Sequence, residues 1–106
     1  MNLGSIDTNL VVPLWALLHE QSISRAAQAV GLAQSSMSHA LARLRSHYDD
    51  PLLVPSGRQM VLTERGRALI EPVELAVSHL QRVFAADTGH VAVPIAYSMS
   101  LYFGFL

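Results

Sequence analysis

Six arginines and a short run of polar side chains hold most of the chemistry this chain has to offer. Arg25, Arg43, Arg45, Arg58, Arg65 and Arg67 fall in one window, opposed there by Asp49, Asp50 and Glu64, a balance of +3 within a chain of net charge −1. A basic field gathered on part of a near-neutral chain suits contact with phosphate, and it equally suits an ordinary solvated surface. In the same window Gln34, Ser35, Ser36, Ser38, His39 and Arg43 are hydrogen-bonding side chains with no acid among them. Such groups meet base edges, and Gln34 pairs naturally with adenine. Catalysis finds no comparable grouping. The five histidines, His19, His39, His47, His79 and His90, are scattered, with no acid at a spacing that would orient them or complete a metal site. No glycine-rich loop is present to cradle a phosphate. With no cysteine, disulfides and thiolate metal sites are excluded. The expectation is a protein that is not an enzyme and has no cofactor and no metal.

Side chains that read a surface must be held rigidly, and the stretch Ser24–Arg45 supplies the frame as two short helices meeting at a tight turn. Gly31 is the pivot, because a glycine accepts positive φ and so ends the helix Arg25–Val30. Ser24 has the chemistry to cap that helix, with Ile23 beside it as a hydrophobic staple. In the second helix Met37, Leu41 and Leu44, spaced four and three, form an inner stripe; Gln34, Ser35, Ser38, His39, Ala42 and Arg43 form the outer one. Ala26, Ala27 and Val30 are small enough to let the two helices cross closely. This is the geometry of a helix-turn-helix whose second helix enters the major groove.

The flanking sequence completes a small domain. Leu10, Leu14, Leu17 and Leu18 mark a helix running to about Glu20, with Asp7, Thr8 or Asn9 as its cap. Pro13 implies either a start near Val12 or a distorted first turn. Trp15, off the leucine stripe, reads as a partly exposed ring. After the turn residues Asp49–Pro51, the runs Leu52–Val54 and Gln59–Leu62 form a β-hairpin joined across Pro55, Ser56, Gly57 and Arg58. Thr63 caps a last helix in which Leu69, Val73, Ala76, Leu80 and Val83 repeat every four and three residues, with Val77 and Phe84 widening the seam. Pro72 should kink this helix or split it after Ile70. Ala85–His90 reads as a linker, and the sixteen residues from 91 to 106 carry no charge, short of the roughly 20 needed to cross a membrane. The start MNLGSIDTNL lacks the basic region and apolar core of a secretory signal, so a cytoplasmic location is the default.

The run A-A-x-x-V-G-L-x-Q-S-S-M-S-H, then LARL, then P-L-L-V-x-x-G-R-x-M-x-L-T-x-R-G, resembles the N-terminal domain of the LysR-type transcriptional regulators, with the NodD-like branch nearest. The resemblance covers roughly residues 9 to 86. It implies a mainly α fold, a winged helix-turn-helix with a three-helix core and a short hairpin wing over residues 1–62, followed by a long linker and dimerisation helix over 63–87. Residues 88–106 would begin an effector domain, represented by its first strand only, in a chain that is either a fragment or a truncated regulator. The implied partners are double-stranded DNA and a second copy of the chain, with a tetramer where a full effector domain is present. A small-molecule inducer and a membrane are not expected.

The recognition residues implied are Gln34, Ser35, Ser36, Ser38, His39 and Arg43. Ser24 and Arg25 support the motif, Ser56, Gly57 and Arg58 form the wing tip, and Leu69, Val73, Ala76, Leu80, Val83 and Phe84 form the dimer seam. Four positions depart from the family pattern. Ala33 stands where Ser or Thr usually caps the helix, Ser35 where Pro is common, His39 where Arg is frequent and Pro55 where many members carry Arg. A rival from another class is an interaction protein that pairs with a full-length regulator and has no useful DNA binding of its own.

Overall fold

The computed structural model describes residues 3–5 and 7–88. Four helices, α1 (Val11–Glu20), α2 (Ile23–Val30), α3 (Gln34–Tyr48) and α4 (Glu64–Thr88), enclose one core, and a two-stranded hairpin, β1 (Leu53–Ser56) and β2 (Gln59–Leu62), projects between α3 and α4. Two short 3-10 turns, Leu3–Ser5 and Thr8–Leu10, precede α1.

Helix α1 lies at the centre, packed against α2, α3 and α4. Every residue from Pro13 to Leu18 is buried. Trp15, expected to be partly exposed, is only 5% accessible. A helix covered on several sides has no outer stripe, so a ring off the leucine line is core as well. Pro13 is the third residue of α1. It falls in the first turn, where the backbone N–H has no intrahelical acceptor, so the helix starts at Val11 without loss.

The α2 cap is Ser22 rather than Ser24. Ser22 is extended (φ −155°, ψ 128°), and its Oγ accepts from the Arg25 N–H at 3.2 Å. Ile23 then becomes the first helical residue rather than a staple before the cap, and Ser24 lies inside the helix. Gly31, at φ 73°, ends α2 and donates to the carbonyls of Ala27 and Gln28, which turns the chain onto α3. Ala26, Ala27, Met37, Leu41 and Leu44 are buried where the helices cross. No side chain caps Ala33 at the start of α3, as its methyl group implies.

The hairpin has the register Leu53↔Leu62, Val54↔Val61, Pro55↔Met60 and Ser56↔Gln59. Its turn is therefore the two residues Gly57 and Arg58, tighter than the four-residue tip expected. Gly57 takes φ 64°, which the first position of such a turn demands. Helix α4 runs unbroken through Pro72 and on to Thr88, replacing both the expected split and most of the expected linker. Pro72 and Ala68 are exposed, so solvent can satisfy the carbonyl that proline leaves unbonded. The strand expected over 91–96 lies outside the described residues.

Glycine inside a helix is normally worth replacing: alanine gains about 0.5–1 kcal/mol. At Gly66 the sign should reverse, because a Cβ would sit 2.8 Å from the Leu52 carbonyl oxygen and 3.2 Å from a Leu62 methyl. Gly66→Ala is expected to destabilise the fold by about 1–3 kcal/mol. A urea midpoint at or above that of the wild type would contradict this packing.

Candidate nucleic-acid interface

The outer face of α3 is fully presented. Gln34, Ser35, Ser36, Ser38, His39, Ala42 and Arg43 are all exposed, while Met37, Ala40, Leu41 and Leu44 are buried. At about 100° per residue, Gln34, Ser38, Ala42, Ser35, His39 and Arg43 span roughly half of the helix circumference. No acid lies on that arc. One edge of it, at Gln34 and Arg45, faces the wing; the other, at Arg43, faces the segment before α1.

A clasp fixes the wing edge. Arg45 donates from Nε to the Pro51 carbonyl at 2.7 Å and from Nη2 to the Leu53 carbonyl at 2.9 Å. Asp50 Oδ2 accepts from the Leu52 N–H at 2.8 Å and the Thr63 hydroxyl at 2.7 Å. Thr63 Oγ1 in turn caps α4 by accepting from Gly66 N–H at 3.0 Å, and Thr63 N–H donates to the Leu52 carbonyl. Together these bonds hold Leu52 at φ 62°, a left-handed conformation costly for a bulky residue. Arg67 donates from Nη1 to the Leu62 carbonyl at 2.9 Å, closing the hairpin root from the other strand.

The six arginines of the basic window thus divide by task instead of forming one field. Arg45 and Arg67 are spent on carbonyls. Arg65 lies over the Tyr48 ring, 5.2 Å from its centroid. Arg25 bonds the Glu20 carbonyl at 2.9 Å and approaches its carboxylate at 3.5 Å. Arg43 Nη2 meets Asp7 Oδ2 at 2.8 Å, with its side chain still 54% exposed. Arg58 stands exposed in the hairpin turn.

Between the α1–α2 junction, the start of α3 and the wing runs an open groove of about 510 Å³. It brings together Ser24, Arg25, Gln34 and Arg58, which are distant in sequence, and adds Ser22 and Gln59, both overlooked in the sequence. Ser22 was legible as a second serine able to cap α2; Gln59 is placed only by the hairpin register. Ser56 and Gly57 are exposed at the wing tip. Along α4 the seam separates. Val73 and Val77 are buried, Leu69 packs against the chain's own core, and Ala76 is exposed. Leu80, Val83 and Phe84 are 41, 60 and 66% accessible, and Leu75, outside the expected seam, is 53% accessible. Among the described residues no cluster of three His, Asp or Glu side chains could hold a metal, and no helix is long and apolar enough to cross a membrane.

Residues 9–67 match the family described as bacterial regulatory helix-turn-helix protein, lysR family. The chain belongs to that family. Members of the LysR family are transcription regulators that bind DNA. Nodulation protein D 1 of Rhizobium tropici is 40% identical over 81 residues, 76% of this chain and 26% of that protein. Nodulation protein D 2 of Bradyrhizobium diazoefficiens is 42% identical over 81 residues, 76% of this chain and 24% of its own length. The chain therefore spans about a quarter of each. Among solved structures, a probable transcriptional regulator from Pseudomonas aeruginosa superposes with TM-score 0.73 at 32% identity, covering 79% of this chain and 28% of that one. BenM DBD, in a complex with catB site 1 DNA, shares the fold with TM-score 0.68 at 20% identity, covering 80% of this chain and 100% of that one.

In this LysR-family domain the clasp makes stability depend on acid. The Thr63 hydroxyl and the Leu52 N–H, helped by Arg65, outweigh partial burial and hold the Asp50 carboxyl below its ordinary value of 3.8. A depressed carboxyl stabilises the fold above its unfolded-state pKa, and that contribution disappears as pH falls through the folded-state value. Asp50→Asn is therefore expected to cost stability at neutral pH and to flatten the loss seen below about pH 4. Thermal melts of both proteins from neutral to acid pH check this; parallel curves would leave Asp50 outside the clasp.

Proposed function

We propose that this chain binds double-stranded DNA sequence-specifically as a dimer, with α3 in the major groove. The observation that carries the reading is the exposed, acid-free arc of α3, bordered by an open groove that ends at an arginine on the wing. The DNA complex of BenM DBD, a protein of the same fold, supports it. In this reading Gln34, Ser35, Ser36, Ser38 and His39 face base edges and carry specificity, while Arg43 and Arg58 hold phosphates. Ser24, Arg25, Ser56 and Gly57 line the path of the sugar-phosphate backbone.

Residues 1–62 read the duplex, and residues 63–87 join two copies. Because Val73 and Val77 are committed to the chain's own core, the dimer contact centres on Leu80, Val83 and Phe84. The reading assigns the chain to the cytoplasm and gives it no catalytic role.

Selecting bound fragments from random duplex DNA tests the reading directly, since the selected sites report binding, half-site spacing and two-fold symmetry together. On such a site Arg43→Ala should weaken all sequences alike and lower the salt slope by about one, whereas Gln34→Ala should cost about 1–3 kcal/mol at one base position. Equal losses on selected and random DNA for both variants would contradict these roles. Replacing Val83 and Phe84 together by Asp should convert dimer to monomer in sedimentation with helical content kept. Self-association without any shifted fragment would instead favour an interaction protein that pairs with an intact regulator.

A further inference from the structure

The far edge of the recognition face is closed by a carboxylate. Asp7 Oδ1 accepts from the Asn9 N–H at 3.0 Å, capping the 3-10 turn that leads into α1, and Oδ2 receives Arg43 Nη2 at 2.8 Å. One carboxylate therefore ties the segment before α1 to the outer edge of α3. We propose that Asp7 is a positioning residue for DNA binding: it holds the Arg43 guanidinium at the rim of the recognition face with the rest of its fork turned to the phosphate backbone. This rests on the reading of α3 as the recognition helix and adds to it a residue outside the helix-turn-helix.

Two features favour holding over masking. Arg43 meets the carboxylate through Nη2, the other carboxylate oxygen takes the Asn9 N–H, and a guanidinium has five N–H donors in a fixed fork, more than this one carboxylate can take up. The Arg43 side chain is also about half exposed, so the carboxylate does not cover it. An arginine loses considerable rotamer freedom when a ligand fixes it. Fixing it in the free protein removes that loss from the binding step. The opposing effect, repulsion between Asp7 and the phosphate, acts between partly solvated charges and is screened by salt.

The test is a double-mutant cycle in the full chain, using Asp7→Asn, Arg43→Ala and the pair, on a duplex selected with the wild type and on random duplex, across a range of salt. Asparagine retains the capping chemistry, and thermal melts check that the fold persists. Asp7→Asn is expected to weaken both duplexes about three- to tenfold, and to change nothing further once Arg43 is alanine. Tighter binding by Asp7→Asn would mean that the carboxylate masks Arg43, and a loss of the same size in both backgrounds would mean that it acts elsewhere; either overturns the proposal. If the wild type shifts no duplex, the DNA reading fails on its own. Relaxation of the Arg43 Nε–H in the free protein then decides the tether separately: restricted motion released by Asp7→Asn supports it, and equal mobility in both proteins overturns it.

Discussion

The wing exists because its root is bolted down. A hairpin of two four-residue strands has too little apolar contact to persist alone in water, and among the described residues β1 and β2 have no third strand. What holds them is the set of bonds around Leu52. Arg45 brings two carbonyls of the Pro51–Leu53 segment to α3, and Asp50 ties the same segment to the first turn of α4 through Thr63. Three elements meet there, so α3, the wing and the long helix α4 share one frame. The left-handed Leu52 and the closely covered Gly66 are consequences of that convergence. Backbone approaches backbone so closely that only a glycine fits, and one residue must adopt a conformation it would not choose.

The same economy explains how a chain of net charge −1 presents a surface suited to DNA. What matters for steering is where charge is left exposed. Arg45 and Arg67 have turned inward to carbonyls and contribute structure. Arg43 and Arg25 keep much of their side chains in solvent while paired at the rim. Arg58 stands at the tip of the wing. The acids that pair with Arg43 and Arg25, Asp7 and Glu20, come from outside the basic window, which is why counting charge along the sequence overstated the field.

Local features of the chain were the legible ones. Gly31 ends α2 because only a left-handed residue turns the chain so sharply, and Thr63 caps α4 with its own hydroxyl; both signals act within a few residues. The outer stripe of α3 followed from the spacing of Met37, Leu41 and Leu44. Trp15 was misjudged because its burial depends on how α2, α3 and α4 together surround α1, which the spacing of residues along α1 does not show. Ser22 and Ser24 are equally good caps by type, and the apolar Ile23 between them decides the matter by belonging inside the helix. Pro72 breaks a helix only where the freed carbonyl cannot reach water, a fact about the surroundings of Ala68 and not about the proline. The partition of the arginines, like the Asp7–Arg43 pair, required knowing which distant carbonyls and carboxylates come within reach.

Helix α4 carries the argument one step further, because its two halves do different things. Its first half is anchored: Thr63 caps it, and Leu69, Val73 and Val77 press on the core. Its second half leaves Leu80, Val83 and Phe84 largely exposed. A continuous helix transmits orientation along its length, so the direction in which those apolar side chains leave the domain is set at Thr63, by the hydroxyl that also bonds Asp50. In the dimer proposed above, the angle between two recognition helices is then fixed at the clasp and at the α4 pairing together. Any shift of α4 against its twin must either bend the helix, where Pro72 has already removed one hydrogen bond, or pull on the root of the wing.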